Sequence, residues 1–148
     1  MRTLVPASFT DEGLFLLDTW RRENTTLVAP ALLAFEVTST LRRYVYLKRI
    51  SPAHGEKAFE EFLRINVRLS HQRGIFPLAW HLAKQFDRPR AYDMAYLALA
   101  QLRGCEFWTA DERLYNAVRP KVDWVKWLGH SIQKRSPTPR SAHSGNRS

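Results

Sequence analysis

The stretch RAYDMAYLALAQLRGCEFWTADERL, which covers residues 90–114, decides the fold class. Four residues in it recur at i, i+3, i+4 and i+7, the spacing of one helix face: Tyr92, Ala95, Tyr96 and Leu99. Gly104 follows as a C-cap, so we predict a helix over Ala91–Arg103. The apolar run Cys105–Thr109 predicts a buried strand, and Asp111 opens a short helix. A helix, a strand and a helix in this order are typical of an α/β fold.

The rest of the chain repeats this alternation of helices with short apolar strands. Upstream, the predicted elements are a helix capped by Thr10, a strand over Thr25–Ala29, a helix from Pro30 to about Lys48, a helix from Ser51 to about Arg64, a strand over Val67–Ser70 and a helix over Ile75–Phe86. Downstream, the short helix ends near Val118 and a last strand covers Asp123–Leu128. This pattern favours a three-layer α/β/α sandwich with a mainly parallel sheet.

Length and composition indicate a single domain followed by a basic tail. A chain of 148 residues suits one domain, and 45% of its residues are hydrophobic, enough to build a core. The last residues, GHSIQKRSPTPRSAHSGNRS, are rich in Ser, Pro and Arg and cannot repay the entropy of ordering. We therefore predict a folded domain over residues 1–129 and a disordered tail over residues 130–148.

Cysteine usage and hydropathy predict a cytoplasmic protein. Cys105 is the only cysteine, which fits a reducing compartment. The longest apolar stretch, Leu27–Phe35, is far shorter than the roughly 20 residues that a membrane-spanning helix needs. Asp11 and Glu12 precede any long apolar run, so the N-terminus has no signal-peptide core.

The charge balance predicts a polyanionic partner. Lys and Arg number 23 against 14 acids, which gives a formal net charge of +9. Such a field attracts nucleic acid and accelerates encounter with it. Four arginines either bind RNA phosphates or are simply solvated: Arg42, Arg43, Arg88 and Arg90. We expect Trp108, Trp124 and Trp127 to pack in the core rather than to stack on bases.

Several kinds of active site are disfavoured by what the sequence lacks. The six glycines are scattered singly, so no Gly-rich loop is present to cradle a nucleotide cofactor. There is no Gly-x-Ser-x-Gly elbow and no His-x-x-x-His pair, which argues against a hydrolase triad and a zinc site. Cys105 lies in an apolar strand, where a structural thiol is expected rather than a nucleophile.

Three carboxylates occupy positions that suit chemistry, and each also has a structural explanation. Glu36 follows Leu32 and Leu33 by one helical turn, so it lies on the apolar face of its helix and needs a partner such as a buried Arg. Asp93 stands in the first turn of its helix, where the macrodipole favours an acid. Asp111 stands between a strand and a helix, where an N-cap is the simplest role.

Taken together, Glu36, Asp93 and Asp111 predict a metal site. Two of them closely follow predicted parallel strands and the third opens a helix that leads to the next strand, so the carboxyl edge of the sheet brings them together. Convergent carboxylates repel one another unless cations lie between them, and such ligands suit Mg²⁺ or Mn²⁺. Because these metals activate water for attack on phosphate, the residues predict a nuclease.

Two segments, PALLAFEVTSTLRR and RAYDMAYLALAQLRGCEFWTADERL, resemble conserved segments of the PIN-domain ribonucleases, particularly the VapC-like toxins of toxin-antitoxin pairs. The resemblance covers residues 10–129. It implies that Glu36, Asp93 and Asp111 are catalytic carboxylates that bind metal, and that the Thr109 hydroxyl helps to orient the metal or the phosphate. It also implies an Mg²⁺-dependent endoribonuclease that is often a homodimer and is held inactive by a small antitoxin protein.

The N-terminus departs from the pattern of this family. Its members begin with a strand that lies in the middle of the sheet and ends in Asp, usually Asp-x-Ser, whereas this chain begins MRTLVPASFTDEG. We therefore expect the first central strand and its Asp to be missing, because the recorded start lies downstream of the true one or because the copy is truncated. The expected consequence is weak ribonuclease activity. The alternatives are a non-catalytic PIN remnant and a basic module that binds RNA or an antitoxin.

Overall fold

The fold is defined by a computed structural model that describes residues 2–3 and 11–133, with side chains described over residues 16–130. In chain order the elements are β1 (Arg2–Thr3), α1 (Asp11–Arg22), β2 (Leu27–Pro30), α2 (Leu32–Tyr46), α3 (Pro52–Arg64), β3 (Val67–Ser70), α4 (Ile75–Gln85), α5 (Tyr92–Arg103), β4 (Glu106–Thr109), α6 (Glu112–Val118), β5 (Val125–Trp127) and α7 (Leu128–Gln133). The predicted alternation of helices and strands over residues 11–127 is confirmed, whereas helix α7 was not predicted.

The sheet is parallel throughout, and its strand order is β3-β2-β1-β4-β5. The two residues of β1 occupy its centre: Arg2 pairs with Leu27 on one side and with Glu106 on the other. The prediction that the central strand is missing is therefore wrong. Strand pairing is made by backbone N–H and C=O groups, so a polar pair of residues can fill this place although it carries no apolar strand signal.

The acid expected at the end of the first strand remains absent from the sequence. Residues 4–10 lie outside the part of the chain that the structure describes, and the first acid after β1 is Asp11.

Helices cover both faces of the sheet. Neighbouring residues of a strand point to opposite faces. In β2, Leu27 packs with Trp20 of α1, whereas Val28 belongs to the larger core cluster built on α5. In β4, the same alternation separates Phe107 from Trp108. Two hydrophobic clusters on opposite faces confirm the three-layer α/β/α sandwich.

Helix α5 fixes the position of the functional edge. Its residues from Met94 to Ala100 are all buried, so it is the central helix of the larger core. Only Gly104, at φ 61°, and Cys105 separate α5 from β4, so the end of α5 lies at the amino edge of the sheet. Its first turn, which contains Asp93, therefore lies toward the carboxyl edge.

The connection between β2 and α2 is shifted from its predicted place. Pro30 is the last residue of the strand rather than the first residue of the helix, which begins at Leu32. The next residue, Ala31, donates its N–H to the carbonyl oxygen of Ser70 at 3.0 Å and so continues the contact with β3 where proline has no N–H to donate.

Helix α7 carries the described fold beyond the predicted boundary at residue 129. It spans Leu128–Gln133, and the His130 ring packs edge-on against the rings of Trp127 and Tyr115, at centroid distances of 5.0 and 5.5 Å. The helix thus continues four residues past the predicted boundary, and this aromatic contact is not visible as a sequence pattern. The rest of the predicted tail, residues 134–148, lies outside the described residues. No helix within the described ranges is long and apolar enough to cross a membrane.

Candidate active site

The three predicted acids all lie at the carboxyl edge of the sheet. Asp111 follows β4 directly, and Glu36 lies in the second turn of the helix that follows β2. Asp93 enters from the first turn of α5, which starts at the same edge. Because β2 and β4 flank β1 on its two sides, the edge brings together acids that are up to 75 residues apart in sequence.

Mutual repulsion links the three carboxylates through Asp93. Burial raises the pKa of Glu36 above its ordinary value, and the charge of Asp93 raises it further. Burial also raises the pKa of Asp93; the Arg88 guanidinium opposes this shift, and the charge of Asp111 adds to it. Asp93 therefore interacts with both other acids, which is the electrostatic pattern that a bound cation relieves.

Glu36 has a tyrosine partner instead of the expected buried arginine. The Tyr96 hydroxyl donates a hydrogen bond to Oε2 of Glu36. Burial, followed by the bond to Glu36, keeps the pKa of Tyr96 far above its ordinary value, so the hydroxyl stays protonated as a donor. The bond favours the charged form of Glu36 and lowers the pKa that burial raises. Tyr96 is therefore a positioning residue that the helical pattern had assigned only to the core.

In the variant Tyr96→Phe, the loss of metal affinity on acidification is expected to begin at a higher pH than in the wild type. Without the hydroxyl, the charged form of Glu36 loses a hydrogen bond, so its pKa rises further and protons compete with the metal over a wider range. Mn²⁺ affinity measured across the pH range tests this expectation. A variant that loses only thermal stability, with an unchanged pH profile, would show that Tyr96 has no role beyond packing.

Thr109 and Asp111 form a fixed turn between β4 and α6. The Thr109 side chain is buried, at 1% exposure, and its Oγ1 accepts a hydrogen bond from the backbone N–H of Asp111 at 3.0 Å. Asp111 caps α6, because its Oδ1 accepts from the N–H of Leu114 at 3.0 Å. The N-cap prediction is confirmed, and it does not exclude a metal, because the capping bond uses one of the two carboxylate oxygens.

Arg88 lies beside Asp93 instead of pointing away into solvent. Its Nη2 lies 3.8 Å from Oδ2 of Asp93, and the side chains are 26% and 52% exposed. An arginine in this place partly neutralises the acid cluster. Of the four arginines considered for RNA binding, it is the one that the structure connects to the acids.

The carboxylates fit a metal that is held partly by water. Within residues 16–130, no three His, Cys, Asp or Glu side chains are close enough to bind one ion together. Mg²⁺ commonly binds through one or two carboxylates and retains several waters. Asp93 with either neighbour is therefore a suitable donor set, and the repulsion within the cluster gives it a reason to bind a cation.

The tryptophans pack as predicted. Trp108 meets Trp20 edge-on at a centroid distance of 5.3 Å, and its Nε1 donates to Oε2 of Glu106 at 2.9 Å. Trp124 packs against the larger core, and Trp127 stacks on Tyr115 at 6.2 Å. These rings support the fold rather than offer a surface to bases.

The architecture defines a three-layer α/β protein with an acidic site at the carboxyl edge of a parallel sheet. Comparison with known families matches residues 10–120 to the PIN domain, and the chain belongs to this family. An 88-residue segment is 34% identical to VapC ribonuclease Mb0985 of Mycobacterium bovis and to Ribonuclease VapC9 of Mycobacterium tuberculosis. The segment covers 60% of this chain and 67% of each relative. The resemblance drawn from the sequence motifs is thereby confirmed.

Proposed function

We propose that this protein is a divalent-metal-dependent endoribonuclease of the VapC type. The observation that carries the proposal is the group of Glu36, Asp93 and Asp111 at one edge of the sheet, where the charge of Asp93 acts on Glu36 and that of Asp111 acts on Asp93. Two further facts support it. The similar proteins are named ribonucleases, and the net charge of +9 suits a polyanionic substrate.

Each side chain of the site has a distinct task in this proposal. Asp93, with Asp111 or Glu36, would hold the ion. The ion supplies an activated water and positive charge at the scissile phosphate. Tyr96 holds Glu36 in place, and Thr109 fixes the turn that presents Asp111.

We propose Mg²⁺ or Mn²⁺ as the ion and slow cleavage as the outcome. The sequence has no acid between β1 and Asp11, so the family's first Asp has no counterpart there and the site has one negative charge fewer. Fewer carboxylates hold a divalent ion less tightly. We also propose a small antitoxin partner and a homodimer, which the family resemblance implies, and a cytoplasmic location, which the single cysteine favours.

A non-catalytic PIN remnant that binds RNA is the second candidate. The favouring observation is that, over residues 16–130, no three potential ligands are close enough to bind one ion together. This candidate predicts RNA binding without cleavage at any metal concentration.

Cleavage of an end-labelled single-stranded RNA by the full chain, with Mg²⁺ or with EDTA, tests the proposal. We expect fragments only with metal and at least a tenfold loss in Asp111→Asn, the range of about 10- to 100-fold that perturbed metal sites show. Asn caps a helix as well as Asp does, so this variant removes the charge and keeps the cap.

The matched control is Asp123→Asn. This exposed acid precedes β5 and therefore lies at the opposite, amino edge of the sheet, so the control is expected to cleave like the wild type. Equal cleavage by Asp111→Asn and the wild type, or fragments that form equally in EDTA, would reject the proposed site.

A further inference from the structure

Helix α2 carries an exposed row of aromatic, hydroxyl and basic side chains that starts beside Glu36. At 3.6 residues per turn, its members lie within about 60° of one another around the helix axis. We call this row the α2 stripe; it consists of Phe35, Ser39, Arg42 and Tyr46. Phe35 is 79% exposed and Tyr46 is 73% exposed, unusually high fractions for such large rings.

The cations on and beside the stripe have no acidic partner among the residues whose side chains the structure describes. Neither Arg42 nor Arg43 forms an ion pair within residues 16–130, although acids pair with Arg21, Arg64 and Arg88 there. The Arg42 guanidinium lies 5.9 Å from the centre of the Tyr46 ring, and Arg49 lies 5.8 Å from that of Tyr44. Solvent-exposed rings with such cations beside them are the combination that binds single-stranded nucleic acid.

The stripe begins next to the acid site and extends away from it along the helix. Glu36 follows Phe35 on the same helix, about 100° further round, and Arg43 lies within about 20° of the direction of Glu36 two turns later. The distance along the axis from Phe35 to Tyr46 is about 16 Å. This length accommodates about five stacked nucleotides at about 3.4 Å each.

We propose that the α2 stripe binds the single-stranded RNA that leads to the acid site, with bases stacked on Phe35 and Tyr46 and phosphates on Arg42 and Arg43. The proposal rests on the proposed function for the nature of the substrate. A second copy of the chain is a poor occupant, because two copies of this surface would bring like-charged arginines together. The charge is complementary to an RNA strand, and the exposed rings supply the stacking that a purely acidic partner does not use.

Binding of a fluorescently labelled single-stranded RNA to the full chain in EDTA separates recognition from cleavage. The double variant Phe35→Ala, Tyr46→Ala is expected to bind at least about thirtyfold more weakly, since it removes two stacking surfaces. The double variant Arg42→Gln, Arg43→Gln is expected to lower the slope of log affinity against log salt by about 1.4, or about 0.7 for each phosphate that is no longer neutralised. All four side chains are exposed, so the variants should keep the wild-type melting temperature.

Two matched variants control for the removal of rings and of charge elsewhere. Phe76→Ala, Trp80→Ala removes two rings that are 73% and 69% exposed on α4, and Arg64→Gln, Arg68→Gln removes two positive charges near and in β3. Both controls are expected to bind RNA within about twofold of the wild type. Equal weakening in the controls and the stripe variants, unchanged binding by the stripe variants, or no RNA binding by the wild type would overturn the proposal.

Poly-glutamate tests whether an acidic polypeptide is the true occupant. If poly-glutamate displaces RNA at equal charge concentration, and the double variant Phe35→Ala, Tyr46→Ala binds RNA normally, the surface recognises charge alone and the proposal fails. Weakened RNA binding by the stripe variants, with no cleavage by the wild type in Mg²⁺, would uphold the stripe and reject the nuclease. If the wild type cleaves RNA in Mg²⁺ and the stripe variants bind RNA normally, the nuclease proposal is upheld and the stripe proposal is rejected.

Discussion

Replacing Asp93 by Asn is expected to lower metal-dependent RNA cleavage at least about a hundredfold and, without metal, to stabilise the folded protein at pH 7. Changes in the outer shell of a metal site cost about 10- to 100-fold, so loss of the acid that links the other two should cost at least the upper figure. The gain in stability has a separate cause. Burial and the charge of Asp111 raise the pKa of Asp93, so the folded state disfavours a charge that Asn does not carry.

The pH dependence of this gain identifies its origin. Above the raised pKa of Asp93, the wild type carries the unfavourable charge and the variant is the more stable. As the pH falls below the ordinary value of 3.8, Asp93 is protonated in both the folded and the unfolded chain, and the difference disappears. Removal of the ion pair with Arg88 opposes the gain only weakly, because exposed pairs contribute at most about 1 kcal/mol. Urea unfolding at several pH values measures this difference; a variant that is less stable at pH 7 would contradict the account.

Replacing Pro6 by Asp is expected to raise the affinity for Mg²⁺ and the rate of RNA cleavage about tenfold or more. In the family, the central strand ends in Asp-x-Ser, and the sequence Pro6-Ala7-Ser8, three residues beyond β1, differs from that motif at one position. The substitution supplies the fourth carboxylate that the sequence lacks. An additional charged ligand strengthens binding of a divalent ion, and ligand charge tunes affinity over several orders of magnitude.

The matched control for this prediction is Pro6→Asn, which makes the same change in backbone freedom and side-chain size without the charge. Mg²⁺ affinity and cleavage rate are measured for both variants beside the wild type. A gain in both variants would point to the backbone, and a gain in neither would show that the site does not depend on an acid at this place.

Features of the chain that are encoded locally could be predicted from the sequence. The helical spacing around Tyr96, the helix start at Ser51 and the C-cap at Gly104 each depend on neighbours a few residues away, and the structure has all three where they were expected. The position of the acids at one edge followed from strand alternation and parallel topology. The rule that the carboxyl ends of parallel strands line one crevice of an open α/β sheet was sufficient to predict this position.

Contacts between distant residues could not be predicted in the same way. Glu36 has its partner, Tyr96, 60 positions along the chain, and a tyrosine in an apolar stripe gives no sign that its hydroxyl is used. The only available signal was that Tyr96 follows Asp93 by three residues and so lies on the same side of α5. The strand β1 was missed because its two residues are held by backbone pairing with β2 and β4, which leaves no pattern in the side chains.

The central claim is that Asp93, together with Glu36 or Asp111, binds one divalent ion at the carboxyl edge of the sheet. Calorimetric titration of Mn²⁺ into the full chain, in buffers of different ionisation enthalpy, measures both the ion and the protons that it displaces. The account predicts one ion per chain and a proton release that grows as the pH falls toward the raised pKa values of Glu36 and Asp93. It predicts that both disappear in the triple variant Glu36→Gln, Asp93→Asn, Asp111→Asn. An absence of binding to the wild type, or unchanged binding to the triple variant, would contradict it.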